Sequence, residues 1–383
     1  MRKLVQLFVL IPLLAAGLLS CNKEEEVVKD RGTGNVKMSF GFSENPEGRA
    51  VTASGKKPTT SWKDNVKDLI VLFVNPAGVV VDARSVTPPT GADIGEKTVS
   101  LKNVPATANC DIYVIANSGQ AANINRPDWN VTTAKGRLAD DLLMQLVKTT
   151  KPTELGAGEG FLPPAEIFMA TQKVTIAPDT DNNIMTPFRL TRAVSLIRVR
   201  LILKGDNATK IKFTTQNDAS IFLRRINPSV NVENTYTAIS GGGNDGVYVN
   251  LPFLDTEPAA GYTGTGDILD AANGVTLYRD FICFPGGSAT VGAQKFDITI
   301  KGTTKDNTYV PAGADAPLGA NRPVYWSGAI SQAIGANNIL DVVVTVQSHG
   351  DSTPPDEPGS YGNLSIKVNL VEWGNVTMTE LPV

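Results

Sequence analysis

The residues whose types and spacing indicate chemistry are few, and the clearest of them is Cys21. It closes the tetrapeptide LLSC at residues 18–21, after a basic start and the apolar run LVQLFVLIPLLAAGLL. In this pattern the thiol is alkylated by a diacylglyceryl group and the cysteine becomes the acylated N-terminus. The apolar run is shorter than the roughly 20 residues that span a bilayer, as is typical of a cleaved export signal. We therefore predict a lipoprotein signal peptide over residues 1–20 and lipidation, with palmitate among the acyl chains, at Cys21. The alternative is an ordinary secretory peptide with a cysteine there by chance.

Arg49 has a second predicted role, as a site of proteolytic cleavage before Ala50. The residues before it, ENPEG at 44–48, are turn and breaker types, so Arg49 should lie in an exposed loop of the kind that proteases cut. Upstream, NVKMSFGF alternates apolar and polar side chains, which predicts a β-strand with one buried face formed by Val36, Met38, Phe40 and Phe42. A cut after Arg49 would separate this strand from its domain. The alternative is that Arg49 is one more surface arginine.

Other reactive residue types are present without the neighbours that catalysis or ligand binding requires. His349 is the single histidine and stands in the loop-like SHGDST, so we interpret it as a surface residue. DTDNN at 179–183 begins like a calcium loop, but Ile184 replaces the required glycine and Leu190 the bidentate glutamate. A plain loop is favoured there over a loosely held cation. Paired carboxylates cannot be recognised from sequence. The sequence indicates no enzymatic activity, no cofactor and no metal site.

Composition narrows the class of protein further. The chain has 383 residues, a formal net charge of −3 and a pI near 5.4, so it lacks the basic character of nucleic-acid-binding proteins, and we exclude that class of partner. Besides Cys21 there are two cysteines, Cys110 and Cys283, each flanked by strand-like residues. We predict that both are buried thiols.

The elements that would position these residues are mostly strands. Glycine and proline are abundant, and many short apolar runs are separated by turn residues, which predicts an all-β protein of two β-sandwich domains. The predicted domains cover residues 50–188 and 189–383, with the boundary near Phe188. RLADDLLMQLVK at residues 137–148 has apolar side chains at helical spacing and predicts one short helix in the first domain.

The last predicted strands alternate in the same way as the first. After a segment rich in proline and glycine, NLSIKVNLVEWGNVTMTELPV places apolar side chains at Leu364, Ile366, Val368, Leu370, Val376 and Met378. These residues are a candidate donor strand for another molecule. The alternative is that they are only the last strands of their own domain.

In their order along the chain, several segments resemble the Bacteroidales major fimbrial subunit (FimA-like, type V pilin) family. They are DLIVLFV, IANSG, EIFMATQKVTI, TRAVSLIRVRL and SIKVNLVEWGNV. The resemblance implies two transthyretin-like β-sandwiches and export of a lipoprotein precursor to the outer membrane surface. It also implies trimming by an arginine-specific surface protease, which would remove the lipidated propeptide 21–49. Strand exchange with itself and with other fimbrial subunits would then build an extracellular fimbrium that supports adhesion and virulence.

Three alternatives to a stalk subunit stay open. A fimbrial tip or accessory adhesin, which would bind a host protein or glycan, shares most of these features. An anchor subunit would keep its first strand and lack the cleavable arginine, so Arg49 counts against that role. An enzyme is the least favoured alternative.

Overall fold

The computed structural model describes residues 32–42, 66–88, 96–119, 127–145, 166–213, 220–233, 247–251, 275–287, 296–353 and 364–372. Strands dominate these stretches. The strands of the first half are β1 Thr33–Phe42, β2 Leu69–Val74, β3 Val80–Val86, β4 Lys97–Pro105, β5 Thr107–Ala116, β6 Leu143–Gln145, β7 Phe168–Ile176, β8 Asp181–Asn183 and β9 Phe188–Arg192. One short helix, α1 Val131–Ala134, lies among them.

The described residues of the second half are also mostly in strands. Its strands are β10 Ser195–Leu203, β11 Ile211–Lys212, β12 Ser220–Ile226, β13 Ser229–Asn231, β14 Val247–Leu251, β15 Val275–Cys283, β16 Phe296–Thr304, β17 Pro323–Ile330, β18 Asn338–Val346 and β19 Ser365–Glu372. The helix α2 spans Asp206–Lys210. The prediction of an all-β fold with little helix is confirmed.

Eight of the nine described strands of the first half, all but β6, form one sheet in the order β3-β2-β5-β7-β9-β1-β4, with β8 paired to β1. All six side chains of β2 (LIVLFV) are buried, as expected for a continuous apolar run in a strand that is covered on both faces. The first strand in the sequence therefore lies inside the sheet and not at its edge.

The strands of the second half form a four-stranded sheet, β15-β10-β18-β19, and a five-stranded one, β11-β16-β12-β14 with β17 on β16. A short ladder between β6 and β13 links the two halves of the chain. In addition, the amide of Val232 donates to the carbonyl of Leu142 at 3.0 Å.

Buried apolar side chains form two clusters. The first, which we call the β1 core, lies wholly within the first half and runs in sequence from Val36 to Leu190. The second extends from Ile70 to Val346 and so draws on both halves. The change of sheet falls at Ala193 and Val194, between β9 and β10. The division into domains 50–188 and 189–383 stays a prediction, because the second cluster crosses that boundary.

The predicted helix over residues 137–148 is wrong for the residues that the structure describes, which end at Gln145. The backbone of this segment pairs with the start of β3 and the turn before it: Val80 N donates to Arg137 O and Ala139 N to Gly78 O, both at 2.9 Å. Gly136 has a φ of 85°, which ends the preceding helix. The helix α1 occurs earlier, where the side chain of Asn130 accepts hydrogen bonds from the backbone amides that follow it.

The prediction of two buried thiols is confirmed for Cys110 and Cys283. Burial raises the pKa of the Cys110 thiol to about 12 and also raises the pKa of Cys283, so both are protonated and unreactive near neutral pH. Within the described stretches, no helix has the length and apolar character needed to cross a membrane.

Candidate functional site

The first strand, β1, is hydrogen-bonded along both of its edges. It runs antiparallel to β4, with Lys37 opposite Ser100 and Phe40 opposite Lys97. On its other edge it runs parallel to β8 near Val36 and parallel to β9 near Phe40. We call the space that β1 fills, between β4 on one side and β8 and β9 on the other, the slot.

The side chains of β1 alternate as the sequence predicts. Val36, Met38 and Phe40 are each at most 1% exposed and belong to the β1 core. Phe42 is partly buried, with its ring centroid 4.9 Å from that of Phe168 in an edge-to-face arrangement. Burying one such side chain contributes roughly 1.5–3 kcal/mol. The inner face of β1 is thus a structural part of the core.

The N-terminal end of β1 passes against the turn between β7 and β8 so closely that only glycine fits at position 34. A Cβ on Gly34 would lie 2.3 Å from Ala177 O and 2.6 Å from Asn182 Nδ2. Asn182 Nδ2 donates to the carbonyls of Asn35 and Ala177, so this side chain ties the turn to β1. DTDNN at 179–183 therefore forms a hydrogen-bonded turn that enters β8.

A second glycine lies where an ion pair crosses β1. Arg189 on β9 and Glu96, which immediately precedes β4, meet with Nη2 and Oε1 2.5 Å apart. A Cβ on Gly41 would lie 3.2 Å from Arg189 Nη1 and 3.3 Å from Glu96 Cγ. We call this ion pair the clasp, because it joins the two walls of the slot over the strand that fills it. Both side chains are about half exposed, so the clasp contributes little to stability.

The candidate donor residues that the structure describes lie on and just before β19, the end strand of the four-stranded sheet. Along its whole length β19 pairs antiparallel with β18, which is its one partner among the described strands. Leu364, Ile366 and Val368 are partly buried against the second apolar cluster, whereas Leu370 is 48% exposed. Within the described residues, β19 is therefore held by one neighbouring strand and by the partly buried side chains of Leu364, Ile366 and Val368.

A glycine on the facing sheet brings β19 close. Gly328 of β17 leaves room for Ile366, whose Cδ1 would lie 2.7 Å from a Cβ at that position. The end of Ile366 is flexible, so this contact tolerates change better than the backbone contacts of Gly34.

The structure brings together one of the predicted groups of site residues and leaves the others apart. Val36, Met38, Phe40 and Phe42 share one buried face, and the donor residues of β19 belong to a different sheet. Cys21, Arg49, Ala50, Val376 and Met378 lie outside the described residues.

Sequence reasoning missed the glycines at 34 and 41 and the clasp. A glycine inside a strand pattern indicates that another part of the chain comes close to the backbone, so the sequence could have pointed to both glycines. The clasp joins residues 93 positions apart and leaves no local signal.

The remaining candidate residue of the sequence analysis, His349, lies partly exposed beside an acidic side chain. The Nε2 of His349 lies 3.7 Å from Asp206 Oδ2, and the His349 side chain is 39% exposed. In the described part of the chain, no group of three or more acidic, histidine or cysteine side chains could hold a metal ion.

Comparison with known proteins agrees with this architecture. A candidate cell adhesion protein from Bacteroides eggerthii is 14% identical, with a TM-score of 0.53 over 89% of this chain and 96% of that one. One from Parabacteroides distasonis is 12% identical, with a TM-score of 0.51 over 91% and 99%. A fimbrilin from Porphyromonas gingivalis is 16% identical, with a TM-score of 0.48 over 90% and 98%. At these identities the first two show a shared fold. No curated protein sequence matches the chain.

The chain thus has the all-β fold that is shared with these two candidate cell adhesion proteins. Residues 33–379 match the model of the family described as fimbrillin-A associated anchor proteins Mfa1 and Mfa2. Because the match covers most of the chain, the protein belongs to this family of fimbrial proteins.

Proposed function

We propose that this protein is a structural fimbrial subunit that polymerises by protease-triggered donor-strand exchange. The observation that carries the proposal is the position of β1. It is an interior strand with both edges paired and its inner face buried, and residues 43–65, which include Arg49, join it to the rest of its sheet. A cut at Arg49 would turn an internal strand into a separate peptide.

The energetic effect of such a cut follows from the contacts of β1. While the strand is tethered, it is present at an effective concentration on the order of millimolar, so a competing strand cannot displace it readily. Cleavage removes this advantage without removing any contact. If β1 leaves, β4, β8 and β9 lose their partner, and unpaired edges of this kind are templates for a strand from another molecule.

The candidate donor is the segment from Leu364 to Met378. Among the described strands its first part, β19, pairs with β18 alone, and Leu370 is 48% exposed, so removing β19 would disturb one described ladder. Its second part includes Val376 and Met378, whose alternation matches that of the buried face of β1. The partners are therefore further copies of this chain and other fimbrial subunits.

Before the cut, lipidation of Cys21 would hold the precursor at the outer membrane through acyl chains. Two or more chains give stable anchoring, and the cut after Arg49 would release the subunit from them. The Cys21→Ala variant should fail to incorporate labelled palmitate, and incorporation at the wild-type level would contradict this part of the proposal.

Cleavage of purified precursor by an arginine-specific endoproteinase, followed by electron microscopy, tests the proposal. We expect filaments from the wild type and none from Arg49→Ala. Arg31→Ala is the matched control and should still polymerise, because a cut at residue 31 leaves β1 attached. Arg49→Lys should polymerise after trypsin and not after the arginine-specific enzyme. Filaments from uncleaved Arg49→Ala would refute the mechanism.

The family description favours one second candidate, an anchor subunit. An anchor would retain β1 and stay attached through its lipid. The same experiment separates the two roles, because an anchor would remain a capped, unpolymerised subunit after treatment with the protease. Arg49, in a segment of turn-forming residues, favours the stalk role.

A further inference from the structure

The sequence contains a second copy of part of β1. Residues 34–39 read GNVKMS and residues 374–379 read GNVTMT, so four of six positions are identical and a fifth exchanges serine for threonine. On the basis of the function proposed above, we propose that residues 374–379 of one molecule occupy, in the same register and direction, the places of residues 34–39 in a second copy of this chain. This assigns the donor segment, its register and its partner.

The identical positions are those at which the slot constrains the side chain. Gly34 cannot carry a Cβ, which would lie 2.3 Å from Ala177 O, and Gly374 matches it. Val36 and Met38 are each 1% exposed, and Val376 and Met378 match them.

The fourth identity reproduces a polar contact. Asn35 Nδ2 donates to Asp181 Oδ1 at 2.8 Å, and Asn375 would supply the same amide. At the two positions that differ, the side chain of β1 is not fully buried. Lys37 is exposed and corresponds to Thr377, and Ser39 is half-buried and corresponds to Thr379. Asn35 itself is exposed, so three of the four identities fall at buried positions and the fourth at a position that makes a hydrogen bond. Two segments that fit one site are expected to agree at such positions.

The match between the two segments ends at residue 379. Glu380 would fall at the place of Phe40, whose side chain is fully buried. The assigned register therefore covers the half of the slot between β4 and β8, and not the half beside β9.

The acceptor must be another molecule if β19 keeps its place. Glu372, the last residue of β19, pairs with Asn338, and the amide of the adjacent Asn337 bonds to Val194, just beyond the end of β9. β1 runs parallel to β9, with Phe42 opposite Leu190, so Gly34 lies roughly 26 Å farther back along the strand. The two residue steps from Glu372 to Gly374 span at most about 7 Å. The segment therefore cannot reach position 34 of its own slot.

An engineered disulfide tests the register. Lys37 lies directly opposite Ser100 on β4, so residue 377 of the donor should lie opposite residue 100 of the acceptor. Directly opposed Cα atoms are about 4.5–5.5 Å apart, within the range of a disulfide. The test variant therefore carries both Thr377→Cys and Ser100→Cys. The matched control is Thr377→Cys with Thr98→Cys, whose diagonal separation of about 7–8 Å is too long. Ser100 and Thr98 are exposed, and the native Cys110 and Cys283 are buried, so neither folding nor the native thiols should interfere.

After cleavage by the arginine-specific enzyme and mild oxidation, a non-reducing gel should show a ladder of cross-linked subunits for the 377/100 pair. We expect at least about a tenfold lower yield for the 377/98 pair. Equal ladders, or a product cross-linked within one monomer, would overturn the assignment. Filaments by electron microscopy without the 377/100 ladder would overturn the register and leave the proposed function standing. Absence of filaments from the cleaved wild type, together with absence of a ladder from the 377/100 pair, would overturn both.

A glycine substitution gives an independent test. Gly374→Ala should slow filament growth at least about tenfold, because its Cβ would overlap backbone atoms that cannot easily move. Gly319→Ala, where a Cβ meets only Arg322 Cγ at 3.9 Å, is the control and should grow normally. Cleavage at Arg49 should be equal in both, and normal growth of Gly374→Ala would contradict the proposal.

Discussion

The first strand and the last described strand of this protein are held in opposite ways. β1 has a hydrogen-bonded neighbour on each edge, an inner face that is fully buried from Val36 to Phe40, and an ion pair closed across it. β19 has one neighbour among the described strands, and its apolar row ends in the half-exposed Leu370. The strand that our proposal requires to leave is thus the better held of the two, and the strand that precedes the proposed donor segment is the more weakly held.

This contrast explains why release needs a covalent cut. A strand with two paired edges in a packed core does not leave spontaneously at a useful rate, whereas a severed peptide can be replaced stepwise by a similar segment. The contrast also gives a reason for a copy of β1 in the donor, because a replacement must satisfy the same tight positions.

The largest effect that we predict on stability is at Phe40. Phe40→Ala should lower the free energy of unfolding of the precursor by about 3–5 kcal/mol, because it leaves a cavity in the β1 core. Equilibrium urea unfolding measures this effect. Leu370→Ala is the matched change on β19 and should cost less than about 1 kcal/mol, because that side chain is already half exposed. Equal losses at the two positions would erase the contrast between the strands.

Gly34→Ala should come next, with a loss of about 1–3 kcal/mol. The added methyl group overlaps the carbonyl of Ala177, and the turn before β8 must move to accept it. Thermal unfolding compares this variant with Gly319→Ala, where the new methyl group meets only Arg322 Cγ at an ordinary contact distance of 3.9 Å. An unchanged melting temperature for Gly34→Ala would mean that the N-terminal half of the slot is looser than the contacts indicate.

Much of this comparison could be predicted from the sequence. The alternation in NVKMSFGF predicts a strand with Val36, Met38 and Phe40 on its buried face, and that prediction is confirmed. The alternation from Leu364 to Leu370 likewise predicts β19. Both succeed because a period of two is a local property of the chain.

What could not be predicted depends on residues far apart in sequence. Nothing local indicates that β1 lies between β4 and two parallel partners, β8 and β9, because sheet order is set by long-range pairing. The predicted helix at 137–148 failed for the same reason. Its apolar spacing suits a helix, but the backbone at Arg137 and Ala139 is paired with the start of β3 and the turn before it.

A smaller effect should appear at Gly328. Gly328→Ala should push Ile366 aside and raise the hydrogen-exchange rate of the β19 amides, with a loss of about 1 kcal/mol in local stability. The β1 amides should exchange at an unchanged rate. Equal acceleration in both strands would show that they are coupled and cannot be compared as independent elements.

The smallest effect should come from the clasp. Glu96→Gln removes the charge opposite Arg189 and should change the unfolding free energy by less than about 1 kcal/mol, since both side chains are about half exposed. It should also weaken the response of the precursor's melting temperature to added salt, because salt screens this pair. A loss above 2 kcal/mol would mean that the clasp, and not the core, holds β1.

The most direct test of strand replacement is the intact mass of the subunit in washed filaments. Precursor is cleaved at Arg49, allowed to polymerise, pelleted, washed and dissolved under denaturing conditions for mass spectrometry. Our account predicts subunits that begin at Ala50 and filaments without the β1 peptide, which should remain in the supernatant. Filaments that contain the cleaved β1 peptide in equal amount to the subunit would contradict the account, because the slot would still hold its original strand.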